Sequence, residues 1–278
     1  YRKRLGEIVR ELKKVRKTRY DCVLDLLCDD SVTALFMSQW AAPGAWRIGV
    51  GKQRYARFYD FNYYTSLDES RHIISNTMRL LEAFGIDSAG QSGYAPPHLP
   101  ESFRTRAEEQ MNKLYPEERP EWITGLNLSA GASSRYWGER KHKELLARIW
   151  ETHPETEVLV FTTPAERSLG ESLVEHFGRR IRLVPDALCI QGATALIRYL
   201  NVLVTPDTSL VHIARSFRIP VVAMYPGFRK NLVLWHPYEQ MDGAVLSHNI
   251  GDIFDITVEQ VVEAYETVVK RHGTVRTS

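Results

Sequence analysis

The chain has 278 residues, 44% hydrophobic and 25% charged, with a net charge of +2, which is enough chain for two domains of ordinary size. No stretch approaches the roughly 20 apolar residues of a membrane span. Cys22, Cys28 and Cys189 are odd in number and unevenly spaced, which argues against a disulfide framework or a zinc site and makes a reducing cytoplasm the expected compartment, with all three thiols buried as small apolar groups.

The first 20 residues hold nine Lys or Arg against Glu7 and Glu11, a local +7 that leaves −5 for the rest. Leu5, Ile8, Val9, Leu12 and Val15 recur at helical spacing, so the spacing predicts an amphipathic helix with its apolar stripe packed on the domain and a cationic outer face. That face is either plain solvated surface or a docking face for an anionic membrane or phosphorylated glycolipid. No recognition motif for nucleic acid accompanies it, so no nucleic-acid partner is expected. Residues 20–27 read as a strand. Lys52, Arg54 and Arg57, interleaved with Tyr55, Phe58, Tyr59, Tyr63 and Tyr64, form a basic and aromatic segment that is either a surface loop or an acceptor contact. Residues 92–100 read as a breaker-rich loop and 101–114 as a helix. Residues 115–120 form the connection into the second domain, and the domains are expected to span 1–104 and 105–278.

The second half repeats one arrangement three times. Residues 123–128 read as a strand, Ser129, Gly131, Ser133 and Ser134 lie in a small-residue loop, and 138–150 reads as a helix with Leu145, Leu146 and Ile149 on one face. The apolar run 158–161 leads to Glu166. The run 202–204 stops at Pro206, after which Asp207, Thr208 and Ser209 supply N-cap chemistry for a helix carrying His212, and Pro220 opens a further strand. Such units place backbone N–H groups and the positive end of a helix dipole at the carboxyl ends of a parallel sheet, where phosphates bind. Plainer roles exist for each residue: Asp207 and Thr208 as a helix cap, His212 as a structural histidine, Gly131 as a turn, Trp137 and Trp235 as packing. Residues 246–256 complete the domain, and 258–271 reads as a final helix.

Asp207-Thr208-Ser209-Leu210-Val211-His212-Ile213-Ala214, then Pro220-Val221-Val222-Ala223, then Trp235 and Pro237, resemble the D-T-G-x-x-H-x-A…P-V-V-A…W-x-P segment of glycosyltransferase family 9, the lipopolysaccharide heptosyltransferases. Ser209 stands where that family usually has Gly. Arg135, two residues before Trp137, stands where it often has Lys. Tyr20-Asp21-Cys22-Val23-Leu24-Asp25-Leu26-Leu27 resembles its Y-D-x-V-x-D-L strand, Arg47-Ile48-Gly49 its R-I-G turn, and His72 to Ile86 its H-x(n)-L-L-x-x-x-G-I helix. The resemblance implies an α/β protein of GT-B architecture, two Rossmann-like parallel-sheet domains facing across a cleft, with the final helix over 258–271 expected to cross back and brace the first domain. It implies an inverting, metal-independent transferase that needs no cofactor and moves a heptose or related sugar from a nucleotide diphosphate sugar, ADP-heptose above all, to a lipopolysaccharide core or other glycan acceptor.

By the same resemblance Arg135, Asp207, Thr208, Ser209, Leu210 and His212 bind the donor and Glu166 grips the ribose. Ser129, Gly131, Ser133 and Ser134 are candidates for a phosphate loop, and Lys52, Arg54 and Arg57 candidates for an acceptor contact. The family's catalytic base sits on an opening strand and loop, so it is expected upstream of Tyr1 and no residue here is nominated for it. The place of work is the cytoplasm, with peripheral contact to the inner face of the inner membrane through residues 1–20. Two rival readings share the donor site: a nucleotide-sugar epimerase of the same architecture, and a non-catalytic nucleotide-sugar-binding paralogue.

Overall fold

The computed structural model describes residues 2–27, 30–63, 71–129, 131–185 and 188–273, with side chains from residue 6 onward. The side chain of Leu5, and Cys28 and Tyr64 altogether, lie outside the described parts. The chain divides into two compact units, residues 1–93 and 94–278.

The first unit opens with helix α1 (Arg2–Thr18), followed by strand β1 (Cys22–Asp25), helix α2 (Val32–Ala41), strands β2 (Trp46–Val50) and β3 (Phe61–Tyr63), and helix α3 (Ile73–Met78). The three strands pair in parallel in the order β1-β2-β3. α2 starts where Ser31 Oγ accepts the Ala34 N–H at 3.2 Å, an ordinary N-cap. The helix expected over 72–86 is instead α3 followed by a tighter 3-10 turn, Arg79–Phe84. It ends because Gly85 takes φ +72, the left-handed conformation that lets its N–H reach back to Glu82 O and that of Ile86 to Leu81 O. Ile48, Val50 and Leu80 form the small core. The apolar stripe of α1 departs from expectation. Leu12 is half-buried, but Ile8, Val9 and Val15 are 41%, 37% and 38% exposed, leaving an apolar groove between α1 and Met37 of α2.

The second unit contains helix α4 (Glu101–Leu114), strand β4 (Ile123–Asn127), helix α5 (Glu139–Thr152), strand β5 (Glu157–Phe161), helix α6 (Arg167–Phe177) and strand β6 (Ile181–Leu183). Helix α7 (Ile190–Ile197), strand β7 (Val202–Pro206), helix α8 (Ser209–Ser216), strand β8 (Val221–Tyr225), helix α9 (Arg229–Trp235), strand β9 (Ala244–Leu246) and helix α10 (Val258–His272) complete it. All its strand pairs are parallel, in the order β6-β5-β4-β7-β8-β9. Helices cover both faces, which is why 202–204 and 221–225 are continuous apolar runs rather than alternating ones. One core holds Leu145, Leu146, Ile149 and Val160, and the other Leu159, Leu196, Leu203 and Val211.

Leu99, Ala107 and Met111 bury in the second core, so the units divide eleven residues ahead of the border read from sequence. α10 starts with a capping box between Thr257 and Gln260. It adds Val261, Tyr265 and Val268 to the first core, with the Tyr265 hydroxyl 2.8 Å from Thr124 Oγ1. Trp137 has the plainer role, 3% exposed with its indole N–H donating to Ile256 O at 2.9 Å. The expectation for the cysteines holds in neither described case: Cys22 is half-buried and Cys189 exposed, the latter because it stands at the N-cap of α7.

Candidate functional site

The strand order reverses direction between β4 and β7, the first strand and the fourth of this doubly wound sheet. Chains leave these neighbours toward opposite sides, which opens a crevice at their carboxyl ends. Asn127, the last residue of β4, is 1% exposed and fills the joint. Its Nδ2 donates to Thr205 Oγ1 at 2.8 Å, to Thr208 Oγ1 at 3.3 Å and to Ser129 O at 3.3 Å, and its Oδ1 accepts the Ser129 N–H at 3.1 Å. One side chain thus fastens the loop after β4 to the start of α8. The motif reading passed over it, yet a polar amide closing a central apolar strand is a signal in itself.

A cavity of ≈ 270 Å³ opens here, close to the lower size of small-molecule sites. Asn127, Ser129, Gly131, Thr208 and Ser209 form its polar side, while Phe161, Val184, Leu188, Ile190, Ala193 and Leu210 form an apolar floor. Gly131 sits at φ +66, a turn in which a side chain would strain the loop. Thr208, the N-cap residue of α8, is extended at φ −142 and makes no side-chain cap; its hydroxyl is engaged with Asn127 and Thr205 instead. The first turn of α8 therefore presents its amides and dipole toward the cavity without a capping side chain. Ser209 is exposed, so its hydroxymethyl in place of the family's Gly reaches solvent.

Beside the cavity, Arg135 Nη2 lies 3.2 Å from Asp207 Oδ2, and Asn231 Nδ2 donates to the same oxygen at 3.3 Å. Burial pushes the Asp207 carboxyl above the usual carboxylate range, opposed by the charges of Arg135 and His212 and by the Asn231 hydrogen bond. Burial lowers the His212 imidazole, against the pull of Asp207 and with help from His236. The His212 ring meets that of Trp235 edge-on at 5.6 Å. Glu166 sits in the 3-10 turn Pro164–Glu166 and accepts from the hydroxyl of Thr163, a residue of the cavity wall.

The structure thus brings Arg135, Asp207, Thr208, Ser209, Leu210, His212, Ser129 and Gly131 into or beside one crevice, with Glu166 next to its wall. Ser133 and Ser134 belong to a 3-10 turn outside the cavity lining, where Ser134 O accepts the Ile253 N–H at 3.1 Å. Asn127, Asn231 and the apolar floor are the members that motif reading missed.

In the first unit the three cations expected at an acceptor separate. Arg54 and Arg57 are exposed and lie over the Tyr55 and Phe58 rings at 5.4 and 4.8 Å. Lys52 departs from that surface role: it is 1% exposed, its ammonium 3.0 Å from Asp25 Oδ2 and donating to Leu27 O at 2.5 Å. The physical reason is Asp25, itself buried at the end of β1, whose charge needs a partner.

Among curated proteins no sequence matches this chain. Among solved structures it is similar to a family 9 glycosyltransferase from Veillonella parvula DSM 2008, with 18% identity and a TM-score of 0.74 over 95% of this chain and 79% of that one. It is similar also to E. coli heptosyltransferase WaaC with ADP-2-deoxy-2-fluoro heptose (16%, TM-score 0.69, 94% and 76%) and to E. coli ADP-heptose LPS heptosyltransferase II (15%, TM-score 0.66, 96% and 82%). These likenesses show the α/β fold of GT-B enzymes. The model of glycosyltransferase family 9 (heptosyltransferase) matches residues 8–263, and the chain belongs to that family of glycosyltransferases.

Proposed function

We propose that the chain transfers a heptose, or a related sugar, from ADP-heptose or a similar nucleotide diphosphate sugar to a lipopolysaccharide core or other glycan acceptor, with inversion and without a metal ion. The observation that carries this reading is the uncapped start of α8 beside the Arg135–Asp207 pair at the mouth of the crevice. When the sugar leaves, negative charge builds on the diphosphate. The helix amides face that charge and the Arg135 guanidinium turns to it from Asp207, so that together they take the place of a divalent cation. The apolar floor suits a base, Glu166 the ribose hydroxyls, and Asp207 the hydroxyls of the donor sugar. Arg54 and Arg57 suit a phosphorylated acceptor. The structures of WaaC with ADP and with an ADP-heptose analogue favour adenine as the base.

Incubation with ADP-heptose in the presence of EDTA, with and without a heptose-free lipopolysaccharide acceptor, tests the reading. ADP release that needs the acceptor, with an inverted linkage in the product by NMR, is the expected result. Acceptor-independent release of ADP and free sugar identifies the epimerase-like reading, and ADP binding without turnover the non-catalytic one.

α1 is the second element of the reading. No helix among the described residues is long and apolar enough to cross a membrane, but exposed Ile8, Val9 and Val15 beside a strongly basic sequence suit an interfacial helix. As part of the same proposal, α1 rests on anionic headgroups and brings the enzyme to a lipid-linked acceptor. The protein is expected to co-sediment with vesicles containing phosphatidylglycerol at low salt and to release as ionic strength rises. Absence of binding, or binding to neutral vesicles alone, removes this element and leaves the donor site untouched.

A further inference from the structure

α9 meets both Asp207 and His212, the first and last residues of the D-T-x-x-x-H motif. From its seven residues Asn231 reaches Asp207 Oδ2 at 3.3 Å, while Trp235 places its ring edge-on to His212 at 5.6 Å. The helix is held for this purpose at its C-terminal end, where the Tyr225 hydroxyl donates to Trp235 O at 2.9 Å. Arg135 and Asn231 share one carboxylate oxygen of Asp207, and only Arg135 has a second task at the donor.

We propose that Asn231 is a positioning residue: its amide holds the Asp207 carboxylate when Arg135 turns from it to the donor diphosphate. This rests on the donor-site reading above. With Arg135 engaged elsewhere, a buried carboxylate without a donor would be costly and free to rotate. The Asn231 amide keeps it solvated and keeps Oδ1 pointed at the sugar. A neutral amide serves better than a second cation, because it has no charge with which to compete for the diphosphate. The arrangement also explains why α9 is a rigid helical turn rather than an open loop, since a positioning group must itself be held.

The test is a double-mutant cycle on ADP affinity, by calorimetry, with Asn231→Ala in the parent and in Asp207→Asn. In the parent, Asn231→Ala is expected to weaken ADP about three- to tenfold, the range of a long hydrogen bond to a charged group. In the Asp207→Asn background, where no charge is uncovered, the change is expected to fall below about twofold. A pH series adds a second readout. Asp207 is faced by Arg135, His212, Asn231 and the phenol of Tyr225, with His236 behind His212. Removing a donor that favours the carboxylate raises its pKa, so the pH below which ADP-heptose affinity fails moves up in Asn231→Ala. A loss equal in both backgrounds, or an unmoved acid limb, overturns the proposal by showing that Asn231 only packs α9. Failure of the parent to bind ADP at all overturns the donor-site reading, and this proposal with it.

Discussion

Replacing Lys52 with Met is expected to destabilise the first unit by about 3–5 kcal/mol, the usual cost of breaking a buried ion pair from one side. Met keeps most of the aliphatic stem, so lost packing contributes little. What is lost is the charge opposite Asp25. That carboxylate keeps the Leu27 N–H at 3.1 Å and the Tyr59 hydroxyl, two neutral donors in place of an ammonium. The segment after β2 stays tethered, because the backbone of residue 52 exchanges hydrogen bonds with the Asn62 amide at 3.1 and 2.7 Å, which Met retains. Two units make a single unfolding midpoint ambiguous, so the reading is hydrogen exchange of the β1 and β2 amides, with ADP affinity as a control in the other unit. Asp25→Asn added to Lys52→Met should restore much of the protection, since two neutral groups no longer leave a charge uncovered. If protection is unchanged and only the KM for acceptor rises, Lys52 is a ligand after all and its burial is incidental to function.

Lys52 illustrates where the sequence stops being informative. A Lys amid Arg54, Tyr55, Arg57 and Phe58 carries the composition of a basic surface loop. Its partner Asp25 lies 27 positions earlier, and only the parallel pairing of β1 with β2 brings the two ends together. Ion pairs across strands are tertiary facts, and no local pattern encodes them. The stripe on α1 has the same character: periodicity reveals that one face is apolar but says nothing of what covers it, and here Ile8, Val9 and Val15 remain exposed.

The second unit was far more legible, for a definite reason. Its strands are buried on both faces, so they appear as uninterrupted apolar runs. Their carboxyl ends are marked by residues that cannot continue a strand, such as Pro206 and the small residues after Leu128. Asp207, Thr208 and Ser209 come next in an order set by local geometry, and the helix after them has the spacing that puts His212 near Asp207. The floor of the cavity was not readable, because Val184, Leu188 and Ile190 are ordinary apolar residues until the fold assembles them. α9 was missed too: a helix of seven residues with no side-chain cap gives almost no periodic signal. Asn231, which donates to Asp207, falls between the recognisable segments.

Arg135→Ala is expected to weaken ADP about tenfold or more, and to move the acid limit of ADP-heptose binding to higher pH. A charge-assisted hydrogen bond is worth about 1.5–3 kcal/mol, which spans about 10- to 150-fold. The lower end applies because the Arg135 side chain is 35% exposed and must give up Asp207 to reach a phosphate. Arg135→Lys should recover part of the loss by restoring the charge, but not the two-pronged geometry. The pH effect follows from the same pair. Asp207 already titrates above the usual carboxylate range through burial, and Arg135 is the largest influence holding it down. Without that cation the folded-state pKa rises further, so the carboxylate that receives the sugar hydroxyls is lost earlier as pH falls. ADP alone, which makes no use of those hydroxyls, should show the loss of affinity without the alkaline shift. Calorimetry of both ligands across pH 4–8 separates the two effects. Equal affinity of Arg135→Ala and the parent for ADP would place the diphosphate elsewhere and remove the basis for assigning α8 as its cradle.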